Sequence, residues 1–165
     1  MKGIITPIER FFVKNNADKI FDNVWIGNKF ALNDEEFIKN NDINVIINCT
    51  KSLEMPEFVE KLNITTHRLN VNDSFRDILK MYKYIDSVCE ELNIHILNND
   101  RILVNCNAGK QRSATLVAYY LIKYKGICFK DAVKIIKEKR SVALFNPITF
   151  RIILERKSKK LNNCL

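Results

Sequence analysis

The stretch Ser113 to Lys123 carries apolar side chains nearly all the way round a helix: Leu116, Val117, Tyr119, Tyr120, Leu121 and Ile122 leave it no polar face. A helix of that kind cannot lie on a surface and must be covered on every side. The rest of the chain therefore has to build layers around it. Directly before it, Arg101-Ile102-Leu103-Val104 reads as a strand, and the residues between the two include Gly109. A strand, a tight loop and a central buried helix form the unit of an α/β layer fold. The flanking sequence agrees. Ile20 to Gly27 reads as two short strands joined by a turn at Asp22-Asn23, Val45 to Cys49 as a buried strand, and Thr65 to Val71 as an alternating strand. Helices are expected from Asn33-Asp34-Glu35-Glu36 onward, over Pro56 to Leu62, Asp77 to Leu92, Phe129 to Lys139 and Pro147 to Lys157, with a short one around Pro7 to Val13. The expectation is a single α/β domain, with a central mixed sheet of about five strands flanked by helices on both faces.

At 165 residues the chain suffices for one core, and 47% apolar with 28% charged residues is ordinary for a globular protein. Four glycines and three prolines leave no flexible tether to a second domain. Residues 1–18 read as a peripheral segment and 19–165 as the domain. No apolar run reaches the length of a membrane span, so no stable membrane insertion is expected, and the N-terminus lacks the apolar stretch of a signal peptide. Five scattered cysteines (Cys49, Cys89, Cys106, Cys128, Cys164) and two histidines (His67, His95) show no metal-ligand spacing. They argue against a zinc site or a disulfide framework and for a reducing compartment, cytoplasmic or nuclear. His67 and His95 read as surface or strand residues. The formal charge of +8 fits anionic partners (phosphoproteins, nucleic acid or an acidic membrane surface) and equally a lysine-rich solvated surface.

The loop Cys106-Asn107-Ala108-Gly109-Lys110-Gln111-Arg112 carries the chemistry. Gly109 allows a positive φ in mid-loop, so successive N–H groups can turn inward and form an anion nest. The positive end of the following helix points at the same place. Arg112 can add a two-pronged contact to an oxyanion held there. Cys106 lies at the base of this electropositive cup, a setting in which a thiol loses its proton near neutral pH. A thiolate beneath a bound phosphate is an in-line nucleophile.

Cys-x5-Arg followed by Ser113 resembles the signature of the cysteine-dependent protein phosphatases. Asn107-Ala108-Gly109 and Arg112-Ser113-Ala114-Thr115-Leu116 resemble the dual-specificity branch. The spacing alone is shared with rhodanese-like proteins and low-molecular-weight phosphatases. The rest of the chain supports the resemblance: Asn23-Val24-Trp25-Ile26-Gly27, Ile43 to Thr50, and Arg140-Ser141 followed by Asn146-Pro147-Ile148-Thr149-Phe150 are similar to that branch in order and spacing. The resemblance implies a small, catalytic-domain-only enzyme needing no metal or other cofactor. It implies Cys106 as nucleophile, and Arg112 with residues 107–111 as the phosphate cradle. It also implies a Ser113 hydroxyl bonded to the sulfur. Ser113 is also an ordinary first-turn helix residue, and both roles are compatible. The family's general acid is an aspartate on a loop ahead of the cysteine's strand, and Asp73 stands there. Asp77 is the rival, although Asp77-Ile78 reads as a helix start.

One position departs from the family pattern. Histidine ordinarily precedes the cysteine, and this chain has Asn105. Asparagine donates and accepts hydrogen bonds but carries no charge, so the loop is expected to form around a less acidic thiol. The expected activity is hydrolysis of phosphotyrosine and phosphoserine or phosphothreonine on proteins, at a slower rate than usual. A pseudophosphatase that only binds phosphorylated partners is the competing reading. Lys110 resembles a basic loop residue of phosphoinositide phosphatases. Asn107 stands where those enzymes carry a second basic residue, and the charge of +8 also suits RNA 5′-phosphates. Lys110 reads equally well as a solvated loop lysine. Cys49 could serve as a partner protecting Cys106 from oxidation.

Overall fold

The computed structural model describes residues 15–144 and 150–161 of the chain. The helix expected around Pro7 to Val13, and Asn146 to Thr149 at the expected start of the last helix, lie outside the described residues. Five strands form one mixed sheet: β1 (Ala17–Phe21), β2 (Val24–Gly27), β3 (Val45–Asn48), β4 (Thr65–Arg68) and β5 (Ile102–Asn105). Their order across the sheet is β1-β2-β5-β3-β4. β1 runs antiparallel to β2, and the other neighbours are parallel. The β1–β2 hairpin turns at Asp22, whose φ of 40° is a conformation that Asp tolerates in turns.

Side-chain alternation divides the core. Val45, Ile47, Ile102 and Val104 face the larger cluster, with α4 (Phe75–Leu97), α5 (Arg112–Lys125), α6 (Phe129–Lys139) and α7 (Arg151–Lys160) on that side. Trp25, Ile46 and Leu103 face the smaller cluster. It is covered by α1 (Lys29–Leu32), α2 (Glu35–Asn40) and α3 (Glu57–Lys61). Strands buried on both faces explain why β3 and β5 read as continuous apolar runs. α5 is buried from Arg112 through Ile122, as its sequence required. It ends at Gly126, whose φ of 66° is the left-handed cap conformation open to glycine.

Several boundaries differ from the sequence reading. α4 begins at Phe75, capped by the Ser74 hydroxyl, and continues to Leu97. Exposed Phe75, Leu79, Ile94 and Leu97 blur its apolar stripe in sequence. β4 ends at Arg68, before Val71. α1 was not expected. Four residues are too few for a periodic signal, and the helix is set by Asn28, whose side chain accepts from the N–H groups of Phe30 and Ala31. Cys49, Cys89 and Cys106 are free, whereas Cys128 is disulfide-bonded, one bridge where the cysteine pattern argued against a framework. No helix among the described residues is long and apolar enough to cross a membrane.

Candidate active site

Gly27, Asn105 and Asn48 lie side by side in register, with Arg68 next to Asn48. They are the last residues of β2, β5, β3 and β4, so four loops leave the same edge of the sheet. That edge is the carboxyl end, where open α/β sheets bind ligands. β5 lies in the middle, and Cys106 follows it directly, 1% exposed. The Cys106 N–H donates to the Gly27 carbonyl at 3.3 Å.

The loop after Cys106 is tied down by its carbonyl groups. The Asn107 carbonyl accepts from the Lys29 N–H at 3.1 Å, and the Lys110 carbonyl from the Leu144 N–H at 2.8 Å. The Gly109 carbonyl accepts from Arg140 Nε at 2.7 Å. A trans peptide points its N–H opposite to its C=O. Anchoring these three carbonyls therefore turns the N–H groups of Ala108, Lys110 and Gln111 away from the anchors and into the cup. Gly109 has the expected positive φ, 62°. A Cβ on it would stand 2.6 Å from the Gly27 carbonyl oxygen and 2.7 Å from Arg140 Nη2, so space as well as torsion demands glycine. α5 then starts at Arg112 with no side-chain cap from Gln111, leaving its first-turn N–H groups to the same space.

Arg112 is buried, and its groups are divided between two tasks. Nη1 donates to the Val71 carbonyl at 3.2 Å. Nη2 lies 3.7 Å from Asp73 Oδ2, an ion-pair distance longer than a hydrogen bond. Nε has no partner among the described residues. The Nε–Nη2 edge is thus the one left to grip an oxyanion. Ser113 Oγ donates to Cys106 Sγ at 3.2 Å. Asp73 lies on the loop after β4 with its side chain half exposed. Its rival Asp77 is engaged otherwise: Oδ2 accepts from the Asn72 N–H at 2.5 Å, and its own N–H donates to Ser74 Oγ. Asp77 therefore organises the first turn of α4, while Asp73 reaches the arginine. Asn107 is exposed, Lys110 is half-buried and Gln111 is buried.

Asn105 is fully buried, and neither Oδ1 nor Nδ2 finds a hydrogen-bond partner among the described residues. The hydrogen bonding that asparagine could have offered the loop is not made. Neighbouring Asn48, by contrast, is satisfied through Leu53 and Thr50. Cys49 lies one residue beyond that rung, beside Cys106. Burial pushes its thiol well up, the Cys106 charge adds to this, and the Arg112 charge opposes it.

The sequence reading missed Arg140 as a site residue. It is 1% exposed and joins three parts of the chain. Besides Gly109, it donates to the Asn15 carbonyl at 3.2 Å and to Asp18 Oδ2 at 2.5 Å. Its only sequence signal was its place in a matching segment, since every partner is distant along the chain. The assembled site can hold a tetrahedral oxyanion on backbone amides and a guanidinium above a buried sulfur, with a carboxyl at the rim.

A family model described as "Dual specificity phosphatase, catalytic domain" matches residues 24–159. The tyrosine phosphatase candidate 123R of Invertebrate iridescent virus 6 is 30% identical over 128 residues, covering 78% of this chain and 82% of that one. Dual specificity protein phosphatase 16 of Homo sapiens is 28% identical over 122 residues, 74% of this chain. The matched region is 18% of that relative's length. The crystal structure of human DUSP28 shares the fold, with a TM-score of 0.81 over 91% of this chain and 97% of that one at 20% identity.

Proposed function

The chain belongs to the dual-specificity phosphatase catalytic-domain family, and from that premise we propose that it hydrolyses phosphate monoesters on proteins, on tyrosine and on serine or threonine, through a phosphocysteine intermediate. The observation that carries this reading is the buried Cys106 sulfur, 3.2 Å from the Ser113 hydroxyl, beneath a loop whose carbonyls are tied outward. Cys106 as thiolate attacks phosphorus, and the S–P bond forms as the P–O ester bond breaks. Asp73 gives its proton to the departing oxygen, which would otherwise leave as a poor alkoxide or phenolate. Water then attacks the phosphocysteine. Asp73 takes its proton, the S–P bond breaks, and the Ser113 hydroxyl stabilises the sulfur as leaving group. Arg112 and the amides of residues 107–112 hold the equatorial oxygens throughout and act most strongly on the charge spread in the transition state.

A second reading, a module that binds phosphorylated partners and turns over weakly, is favoured by the unpartnered amide of Asn105. Hydrolysis of p-nitrophenyl phosphate and of an alkyl phosphate separates the two. Expected is measurable wild-type turnover that vanishes in Cys106→Ser with ester binding retained. Asp73→Asn should slow the alkyl ester far more than the nitrophenyl ester. Unchanged turnover in Cys106→Ser overturns the nucleophile, and equal slowing of both esters moves the acid elsewhere. Phosphopeptides, an RNA 5′-phosphate and a phosphoinositide tested side by side would show which ester the half-buried Lys110 favours.

A further inference from the structure

His67 and His95 are separated by 28 positions in sequence, yet their Nε2 atoms lie 2.8 Å apart. His67 stands on β4, the edge strand, and His95 on the last turns of α4. The rings are tilted by 59°, so they meet through their nitrogens and are not stacked. Glu91 lies one helical turn before His95 on the same face. One ligand atom from each of His67, Glu91 and His95 falls within a circle of mutual distances of 4.8 Å. The sequence offered no sign of this, because the third ligand comes from a different element.

The surroundings match what a cation site requires. His95 Nδ1 is 2.7 Å from Asp100 Oδ2. An ionised carboxylate only accepts, so a neutral His95 carries its proton on Nδ1 and turns an Nε2 lone pair to the site. Asp100 is itself fixed by Asn44 Nδ2 at 2.7 Å through its other oxygen. A carboxylate behind the far nitrogen of a ligating histidine is the arrangement that orients such ligands. Both histidines are half-buried, while Glu91 is exposed and leaves a side open to water.

We propose that His67, His95 and Glu91 bind a divalent transition cation of the zinc type, with water completing the coordination. Two imidazoles and one carboxylate are a donor set suited to that ion. Zinc–nitrogen distances of about 2.0–2.1 Å place two tetrahedral ligands about 3.3 Å apart. The two Nε2 atoms need to open by roughly half an ångström, which small side-chain rotations supply. His67 moves its remaining proton to Nδ1 as it turns its Nε2 lone pair to the ion. The bound cation clips the edge strand to the last turns of α4, closing a segment of 28 positions made of α4 and the short loop before it, and such a constraint stabilises more the longer the segment it closes. That loop carries Asp73. The proposal is independent of the phosphatase reading, and its readout is binding, not turnover.

The test is titration of the metal-free full chain with Zn2+ by calorimetry and with Co2+ by visible absorption. It is run on wild type, His67→Asn, Glu91→Gln and Cys106→Ser. Expected is one saturable equivalent in wild type and in Cys106→Ser, with a raised melting temperature and d–d bands typical of low-coordinate Co2+. His67→Asn should lose it, and Glu91→Gln should weaken it about tenfold, a loss of about 1.4 kcal/mol. Both substitutions are at accessible positions, and their unliganded melting temperatures check the fold. Absence of saturable binding in wild type overturns the proposal. So does unchanged affinity in both His67→Asn and Glu91→Gln, or loss in Cys106→Ser alone, which would place the ion on the thiol.

Discussion

At the scale of single residues, the site turns on how buried polar atoms are spent. Arg112 divides its guanidinium between Val71 and the cup, and Ser113 gives its hydroxyl to sulfur. Asn105 makes no side-chain hydrogen bond among the described residues, although a buried amide without partners costs about 1–3 kcal/mol. A histidine there would add a titratable donor next to the sulfur. Asn105→His is expected to move the acidic limb of the pH–rate profile to lower pH and to raise turnover between pH 5 and 7, as steady-state hydrolysis across that range would show. A profile that does not move would mean Asn105 has no hold on the thiol. Cys106, Arg112, Ser113, Gly109 and Asp73, singled out in sequence from the loop motif and the resemblance it carries, are brought by the structure to one end of the sheet. That Asn105 stays unpartnered was not legible, because its neighbours come from β2 and β3.

At the scale of elements, α4 is tied by side chains to α5 and α7. Toward the core, Asp86 on α4 accepts from the Tyr119 hydroxyl of α5 at 2.5 Å and pairs with Lys157 of α7. Burial tends to raise the Asp86 carboxyl, but the hydrogen bonds from Lys157 and Tyr119 and the charges of Lys157 and Lys123 outweigh it and hold it below its ordinary value. A depressed carboxyl contributes stability above its unfolded pKa, and that stability is lost as pH falls through the folded value. Asp86→Asn also leaves the buried Lys157 without its carboxylate. Urea unfolding is expected to show a loss of about 1–2 kcal/mol at pH 7, scaled down because Asp86 is partly exposed, and a difference that shrinks as pH is lowered below the ordinary carboxylate range. The helices themselves were readable wherever an apolar stripe ran for several turns. α1, too short for a stripe, and the two ends of α4, where exposed apolar residues confuse it, were not.

At the scale of the whole molecule, the fold class followed from one helix that had to be buried, and the sheet order then put Cys106 at the centre of the binding edge. What no local pattern announced was Arg140, which closes the site from the far end of α6. Lysine in its place keeps the charge for Asp18 but loses the fork that also reaches the Gly109 carbonyl. Arg140→Lys is expected to keep the fold by circular dichroism and to lower kcat/KM about tenfold, or about 1.4 kcal/mol. Wild-type kcat/KM in that variant would show that the loop holds its shape unaided. Arg140 also meets Asn15 and Asp18, partners 125 and 122 positions earlier in the chain. A ribosome delivers those partners long before it delivers the arginine. The Arg140 brace of the cup thus forms only after its partners at Asn15, Asp18 and Gly109 have all been delivered. A product ending short of residue 140 keeps Cys106 and Arg112 but lacks the side chain that ties the Gly109 carbonyl to Asp18 of β1.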